Sequence, residues 1–390
     1  MATAELISEE MVVLDRLDQL LSEYDPESTA RREMLGAQFD AGLAWVHFPE
    51  GCGGLGLSPK LQQMVNERLA AAGAPFPSAE QGIGTGMGAP TVATYASDEF
   101  RRKHLRRIFT GEEIWCQLFS EPGAGSDVAN LSTSAVRDGD EWIINGQKVW
   151  TTFAHLADWG MLLARTDPSA PKHAGLTYFV VDMRQPGVLA RPIHQIDGSS
   201  EFNEVFFTDA RVPDSQRLGE VGEGWRVAIT TLMNERVSIG ATSAAPRGSG
   251  VIGVALQEWS KRAGDEVSRD ALMRLWCRAE VNRLTAMRAD AARNQGVPGP
   301  EGSIGKLAFA ELFQDIANFA TNHLGPHGML YPSEGDRPRA DPRVLLLYAR
   351  SMTIAGGTSE VMRNILGERV LGLPGDVRVD KDIPWKETLR

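Results

Sequence analysis

The sequence lacks the features that mark secreted, membrane-spanning and metal-binding proteins. Three cysteines occur in 390 residues, and they stand far apart, at positions 52, 116 and 277. An odd number at this spacing excludes a disulfide framework and favours a reducing compartment. No apolar run is long enough to cross a bilayer, and the N-terminal segment has neither a signal-peptide nor a transit-peptide pattern. We therefore expect a cytoplasmic protein without a membrane span.

A strongly basic surface is absent as well. The formal net charge is −11, and no long block of one sign occurs. This charge disfavours nucleic-acid binding, and an acidic ligand would need a local basic pocket. His323 and His327 are spaced i and i+4, but a Gly-Pro pair separates them and no carboxylate has matching spacing. We predict no metal site.

What the sequence does contain is a change of hydrophobic period along the chain. Apolar residues recur every three or four positions from about 8 to 111, every second position from 114 to 213, and every three or four again after 219. The content of 42% hydrophobic residues is ample for a large core. We predict a mostly α protein with a small central β domain, and domain limits of 1–113, 114–218 and 219–390.

The same patterns predict individual elements in the last two regions. The predicted strands are 115–119, 141–145, 160–165, 177–182, 188–193 and 204–207. Asn145-Gly146 is predicted to be a turn between strands. The predicted helices are 224–243, 250–263, 268–294, 303–324 and 351–371.

Two motifs in the β region indicate a cofactor site. Residues 121–127 read Glu-Pro-Gly-Ala-Gly-Ser-Asp, and residues 145–152 read Asn-Gly-Gln-Lys-Val-Trp-Thr-Thr. A glycine-rich loop exposes backbone amides, and a tryptophan followed by hydroxyls suits a flat ring with polar edges. Taken singly, the first motif is also a plain turn and the tryptophan a core residue. The C-terminal block described next favours the cofactor interpretation.

That block reads Gly357-Thr358-Ser359-Glu360, followed by Arg363-Asn364-Ile365 and Glu368-Arg369. With all three blocks in order, the chain resembles the acyl-CoA dehydrogenase family over nearly its whole length. The resemblance implies a helical domain, a β-barrel and a four-helix bundle, with FAD held between the β domain and the C-terminal helices. It also implies dehydrogenation of an acyl-CoA thioester to its trans-2-enoyl product, with electrons passed to an electron-transfer flavoprotein. The implied assembly is a homotetramer, a homodimer or a heteromer with a related chain.

The resemblance also assigns binding residues, position by position. The residues implied to contact FAD are Gln117, Phe119, Ser120, Gly125, Ser126, Trp150, Thr151, Thr152, Thr358, Ser359 and Glu360. The residues implied to contact the acyl-CoA substrate are Ser126, Arg236 and Gly357.

The catalytic base is where the family pattern breaks. Many members carry a glutamate immediately before the Gly-Thr pair, and here that position is Gly356. Some branches carry the base on the first long C-terminal helix instead, where the matching residue is Glu235. Glu235 shares an apolar helical stripe with Ala228, Leu232 and Ile239, and burial there raises a carboxyl pKa towards that of a general base. The alternative is a structural ion pair with a cation such as Arg236.

Gly356 is not thereby without a role. Its backbone N–H is independent of the side chain and is predicted to hydrogen-bond the thioester carbonyl, stabilising enolate-like charge. We predict that Glu235 removes the α-proton while hydride leaves the β-carbon for the flavin.

Other departures leave alternatives open. The family's Arg-Lys-x-Phe-Gly motif, which contacts FAD across a subunit boundary, is missing at 261–265, and 324–328 is a variant of its glycine-rich adenosine loop. One alternative is a flavin-dependent monooxygenase or oxidase on the same fold. Another is a non-catalytic subunit of a heteromeric acyl-CoA dehydrogenase. The acyl group is open among short, branched, cyclic and steroid-derived chains.

Overall fold

The elements of the computed structural model follow the order helices, strands, helices that the sequence predicts. The structure describes residues 2–241, 246–262, 265–294, 301–332, 338, 340–377 and 379–388, and the side chains of 2–7, 236–241, 290–294 and 301–302 lie outside the description. The first helices are α1 Ala2–Glu23, α2 Arg31–Asp40, α3 Leu61–Ala71, α4 Ala89–Tyr95 and α5 Asp98–Thr110.

Contacts within the chain divide it into two compact units. The first comprises Met1–Ile193, Ser200–Asn234 and Val379–Arg390, and the second comprises His194–Ser199 and Glu235–Arg378. The division falls inside helix α6, Gly224–Ala241, so Glu235 is counted with the second unit. The domain limits 1–113, 114–218 and 219–390 stay a prediction.

The β region forms an eight-stranded sheet in the first unit. Its strands are β1 Trp115–Leu118, β2 Ser134–Asp138, β3 Glu141–Thr152, β4 Trp159–Arg165, β5 Leu176–Asp182, β6 Val188–Pro192, β7 Phe202–Pro213 and β8 Arg217–Leu218. Along the sheet the order is β6-β7-β3-β2-β4-β5-β8, and β1 pairs in parallel with β4. The sequence pattern did not predict β2 and β8, and the predicted strands 141–145 and 204–207 are shorter than β3 and β7.

Gly146 does not form the predicted turn. It lies inside β3, at an irregularity in the pairing with β7. A Cβ atom built on Gly146 would lie 2.5 Å from the Thr133 hydroxyl oxygen. The glycine is therefore required by the close approach of the neighbouring chain and not by a reversal of direction.

Both faces of the sheet are buried. Trp115 and Tyr178 belong to a core that includes helix residues such as Leu105 and Val227, while their neighbours Cys116 and Phe179 belong to a second core. Burial on both faces explains the continuous apolar run of β5.

Helices account for the described secondary structure of the second unit. They are the end of α6, α7 Val251–Lys261, α8 Glu266–Asn294, α9 Glu301–His323, α10 Pro342–Met352 and α11 Ser359–Arg369. The predicted helix 351–371 is wrong, because a turn at 353–358 separates α10 from α11. Gly356 and Gly357 in that turn have φ of +67° and +102°, which interrupt a right-handed helix. Thr358 then caps α11 by accepting a hydrogen bond from Val361 N.

No helix in the described ranges combines the length and apolarity needed to cross a bilayer.

Candidate functional site

A buried ion pair joins the two motifs of the β region. Lys148 of β3 is fully buried, and its Nζ lies 2.9 Å from Oε1 of Glu121, the first residue of the glycine-rich loop. The ammonium also donates to the carbonyl oxygens of Phe119 and Leu163. Glu121 in turn accepts hydrogen bonds from the Ser132 amide and hydroxyl. All ammonium protons of the lysine are thus used, as a buried charge requires.

The surroundings keep Glu121 ionised. Burial favours its neutral form, but the Lys148 charge and the hydrogen bonds from Lys148 and Ser132 outweigh burial and lower the pKa to about 2. Burial lowers the pKa of Lys148, and the Glu121 charge opposes that effect. Because three acceptors surround the ammonium, we describe the pair as charged on both sides.

This pair places the predicted ring-contacting residues side by side. Val149 N donates to Ser120 O, so the residues after β1 lie directly against β3. The pairing of β3 with β7 is irregular between Lys148 and Thr151. Trp150 sits in that irregularity with φ +61°, an uncommon backbone conformation for a bulky residue. Its side chain is 60% exposed, so the indole is presented to the outside of the unit and not to its core.

A buried asparagine fixes the backbone of Thr151. Its carbonyl oxygen accepts a hydrogen bond from Nδ2 of Asn203, a fully buried side chain that also donates to Glu201 O. The Thr151 hydroxyl is buried and has no hydrogen-bond partner within the described part of the chain. A buried hydroxyl without a partner costs free energy, so this position fits contact with a polar group of a bound molecule such as FAD.

The remaining predicted residues of the first unit border the same strands. Gln117 and Thr152 are half-buried, Phe119 is buried, and Gly125 and Ser126 are exposed. A Cβ built on Gly125 would meet nothing within 4 Å. The loop therefore leaves room for a ligand to approach its backbone closely.

A segment near the C-terminus holds this loop from outside. Lys172 donates to Asp127 of the loop and to Asp380 of the terminal segment. Trp385 is buried, its Nε1 donates to Asn130 Oδ1, and the Arg165 guanidinium lies 4.3 Å from its ring centroid. Burial lowers the pKa of Lys172, but the hydrogen bonds and charges of the two aspartates outweigh it and raise the pKa.

In the second unit, a buried lysine interacts both with Glu235 and with the turn that contains Gly356 and Gly357. Glu235 is half-buried near the end of the described part of α6. Lys306 of α9 is 4% exposed, and its Nζ donates to Gly357 O. The charges of Glu235 and Glu360 both act on Lys306. Lys306 thus donates to the turn that carries Gly356 and is also acted on by the charge of Glu235.

The start of α11 carries polar groups suited to an anion. Ser359 is buried and its hydroxyl has no partner among the described residues. Backbone amides at the helix start and the Thr358 side chain lower the pKa of Glu360. Free amides at a helix start favour negative charge, and the Ser359 hydroxyl fits contact with a polar group of FAD.

Three predicted features are described in part or not at all. The Arg236 side chain lies outside the described residues, as does Ile239 of the apolar stripe, whereas Ala228 is buried and Leu232 half-buried. Residues 263–264, in the segment 261–265 where the family's Arg-Lys-x-Phe-Gly motif is missing, also lie outside the described residues. His323 stacks on Trp259 and contacts Arg262 O. The described residues contain no group of three metal-binding side chains.

Sequence reasoning missed Lys148, Asn203 and Lys306, although two of them had a signal. Lys148 continues the inward positions of Trp142 and Ile144 along β3. Lys306 lies on the buried stripe of α9 between Ser303 and Ala310. A charged residue on an apolar stripe indicates a paired, buried charge.

Models of three domains of one family match the chain. The N-terminal, middle and C-terminal domains of acyl-CoA dehydrogenase match residues 10–112, 116–210 and 222–371. The expected order of a helical domain, a β domain and a helical domain is thereby confirmed.

Individual relatives agree with these matches. The acyl-CoA dehydrogenase IpdE1 of Mycobacterium tuberculosis is 40% identical over 340 residues, which cover 87% of this chain and 86% of the relative. The solved ChsE4–ChsE5 complex from Mycobacterium tuberculosis gives a TM-score of 0.71 at 30% identity, covering 95% of this chain and 98% of that one. The Tcur3481–Tcur3483 steroid ACAD gives 0.74 at 26% identity, with coverage of 95% and 98%. With its three domains matched in order, this chain belongs to the acyl-CoA dehydrogenase family of FAD-dependent oxidoreductases.

Proposed function

We propose that this protein catalyses the α,β-dehydrogenation of an acyl-CoA thioester to the trans-2-enoyl-CoA, with Glu235 as the base. One observation carries the proposal. The Lys306 ammonium donates a hydrogen bond to Gly357 O, and the charge of Glu235 acts on the same ammonium. Through Lys306, these two interactions support a carboxylate from α6 as the base beside the turn where many family members place their glutamate and this chain has Gly356.

The chain's own residues divide the work of the reaction. The Glu235 carboxylate takes the α-proton, which is acidified when the thioester carbonyl is polarised. The Gly356 N–H donates to that carbonyl oxygen and stabilises the developing negative charge, and one such donor is typically worth about 3 kcal/mol. Bound FAD would supply the hydride acceptor for the β-carbon.

The proposed FAD contacts are the residues that the family motifs assign. In the first unit the proposed contacts are Gln117, Phe119, Ser120, Gly125, Ser126, Trp150, Thr151 and Thr152. In the second they are Thr358, Ser359 and Glu360. The buried hydroxyls of Thr151 and Ser359, which have no hydrogen-bond partner among the described residues, support this assignment. Ser126, Arg236 and Gly357 are the proposed substrate contacts.

The relatives support a first choice of acyl group and of assembly to test. One solved relative carries the description "steroid ACAD", which makes a steroid-derived acyl thioester the first substrate to test. An electron-transfer flavoprotein is the proposed electron acceptor. The ChsE4–ChsE5 structure is a complex of differently named chains, which supports a heteromer as the alternative to a homotetramer or homodimer.

The test is anaerobic bleaching of the flavin spectrum by a panel of acyl-CoA thioesters. Glu235→Gln should slow bleaching by about 10²–10⁴-fold, the usual contribution of a general base. Glu223→Gln is the matched control, because Glu223 lies just before α6 and pairs with the exposed Arg226. Bleaching at the wild-type rate in the Glu235→Gln protein would remove Glu235 from the mechanism.

The same samples separate the alternative functions. A chain that purifies without flavin, and gains both flavin and activity on co-expression with a related chain, would be a subunit of a heteromer. Rapid oxygen consumption with slow dye reduction would indicate an oxidase or monooxygenase.

A further inference from the structure

Lys306 is a buried cation in the second unit. It extends from α9, is 4% exposed, and its Nζ donates to the backbone carbonyl of Gly357. Burying an ammonium is costly unless its charge and its protons are used. A lysine at this buried position therefore indicates that its charge and its hydrogen bond are needed there.

The charges around Lys306 come from two other helices. Burial lowers the pKa of Lys306, and the carboxylates of Glu235 on α6 and Glu360 on α11 act in the opposite direction. Several other charged side chains of α7 to α11 have partners of their own. These pairs are Arg363 with Glu311, Arg278 with Asp315, Arg283 with Glu280, Lys261 with Glu258, and Arg350 with Gln314 and Asn318.

The turn that Lys306 holds is conformationally demanding. Gly356 and Gly357 both have positive φ, and a Cβ on Gly357 would lie 2.6 Å from Met362 Cε. The hydrogen bond from Lys306 fixes the orientation of the Gly357 carbonyl. Fixing this peptide group also restricts the direction of the backbone N–H groups in the turn.

We propose that Lys306 is a positioning residue for the dehydrogenation, which fixes the Gly356–Gly357 turn through one hydrogen bond and keeps Glu235 ionised through its charge. The inference rests on the proposed function, because it assigns Glu235 the role of base. The charge of a nearby cation opposes the rise in pKa that partial burial produces in a carboxyl group. The base form of Glu235 is therefore available at lower pH with Lys306 than without it.

Two substitutions separate the hydrogen bond from the charge. Lys306→Gln keeps a donor and removes the charge, whereas Lys306→Met removes both. The pH dependence of kcat/KM is measured on each flavin-loaded protein, with Lys306→Arg as the conservative variant and Lys261→Met as the control at an exposed lysine. We expect the acid limb to move about one pH unit higher in the glutamine and methionine variants, with a further loss of kcat in the methionine variant. The arginine and control proteins should keep the wild-type limb.

An acid limb that stays at the wild-type pH in both neutral variants would overturn the inference, even if kcat falls, since a purely structural lysine predicts that result. If neither neutral variant folds, the arginine variant decides: a wild-type limb supports a required charge, and a limb moved to higher pH contradicts it. Failure of the proposed function is recognised separately, because the Glu235→Gln protein would then bleach at the wild-type rate whatever the lysine variants do.

Discussion

Lys148 and Glu121 form an ion pair at 2.9 Å that is buried from solvent and joins the glycine-rich loop to strand β3. Each residue belongs to a different sequence motif, and the pair brings the motifs together. Neither side chain is assigned to FAD or substrate. The pair secures the backbone around the predicted ring-contacting residues, since Lys148 donates to Phe119 O and the next residue, Val149, donates to Ser120 O.

Lys148→Met should destabilise the protein by about 3–5 kcal/mol, because it leaves the Glu121 carboxylate buried without its counter-charge. Urea unfolding followed by circular dichroism measures the change. The double variant Glu121→Gln/Lys148→Met should recover part of the loss, since no unpaired charge then remains. A double variant no more stable than Lys148→Met alone would contradict this account.

Stability should fall with acid through the titration of Glu121. Its pKa of about 2 in the folded protein lies below the value of about 4.3 expected in the unfolded chain. A lowered folded-state pKa contributes stability above the unfolded pKa, here about 3 kcal/mol, and this contribution is lost as the pH falls from about 5 to 2. Unfolding in urea between pH 7 and 3 should show a smaller acid-induced loss for Glu121→Gln than for the wild type. Parallel pH curves would refute the prediction.

Thr151→Val should weaken flavin binding without weakening the fold. The valine replaces a buried hydroxyl that has no partner among the described side chains, so the stability of the flavin-free protein should stay equal or rise by up to about 1 kcal/mol. Flavin affinity should fall about tenfold if the hydroxyl bonds the cofactor, equivalent to about 1.4 kcal/mol. Fluorescence titration with FAD measures this, and Thr208→Val, at an exposed position of β7, is the control. Equal affinities of the Thr151→Val and wild-type proteins would exclude the contact.

Trp385→Ala should cost about 3–5 kcal/mol, the range for removing a buried tryptophan. The loss includes the hydrogen bond to Asn130 and the contact with Arg165. Val379→Ala in the same segment is the control, because Val379 is 85% exposed and should change stability by less than about 0.5 kcal/mol. Thermal unfolding compares the two, and similar midpoints would show that the segment does not secure the loop.

Gly357→Ala should be more harmful than an alanine at Gly56. Both glycines have positive φ, but a Cβ at Gly56 meets nothing within 4 Å, whereas one at Gly357 meets Met362. We expect about 1 kcal/mol of destabilisation at Gly56 and a larger loss at Gly357, because there the buried Met362 side chain must also shift to make room for the Cβ. Urea unfolding provides the comparison, and equal losses would contradict the role of the overlap.

Local patterns determined the order of elements and the identity of the family. The change of period from three or four to two and back again gave helices, strands and helices, because side chains of an α-helix and a β-strand repeat at these intervals. The motifs around Ser126, Trp150 and Thr358 carried the resemblance. Strands β2 and β8 were missed, since most of β2 is exposed and carries little apolar alternation, and β8 has only two residues.

Tertiary contacts decided which residues pack against those motifs and pair with their charges. Gly146 was predicted to be in a turn, but it lies inside a strand, where it pairs with Phe207 and Thr133 leaves no room for a side chain. The Lys148–Glu121 pair spans 27 positions and the Lys306–Gly357 hydrogen bond spans 51. A buried charge requires a partner, and the sequence pattern could indicate the need for one. Which residue meets that need depends on the folded chain, because contacts between distant residues are set by how helices and strands pack.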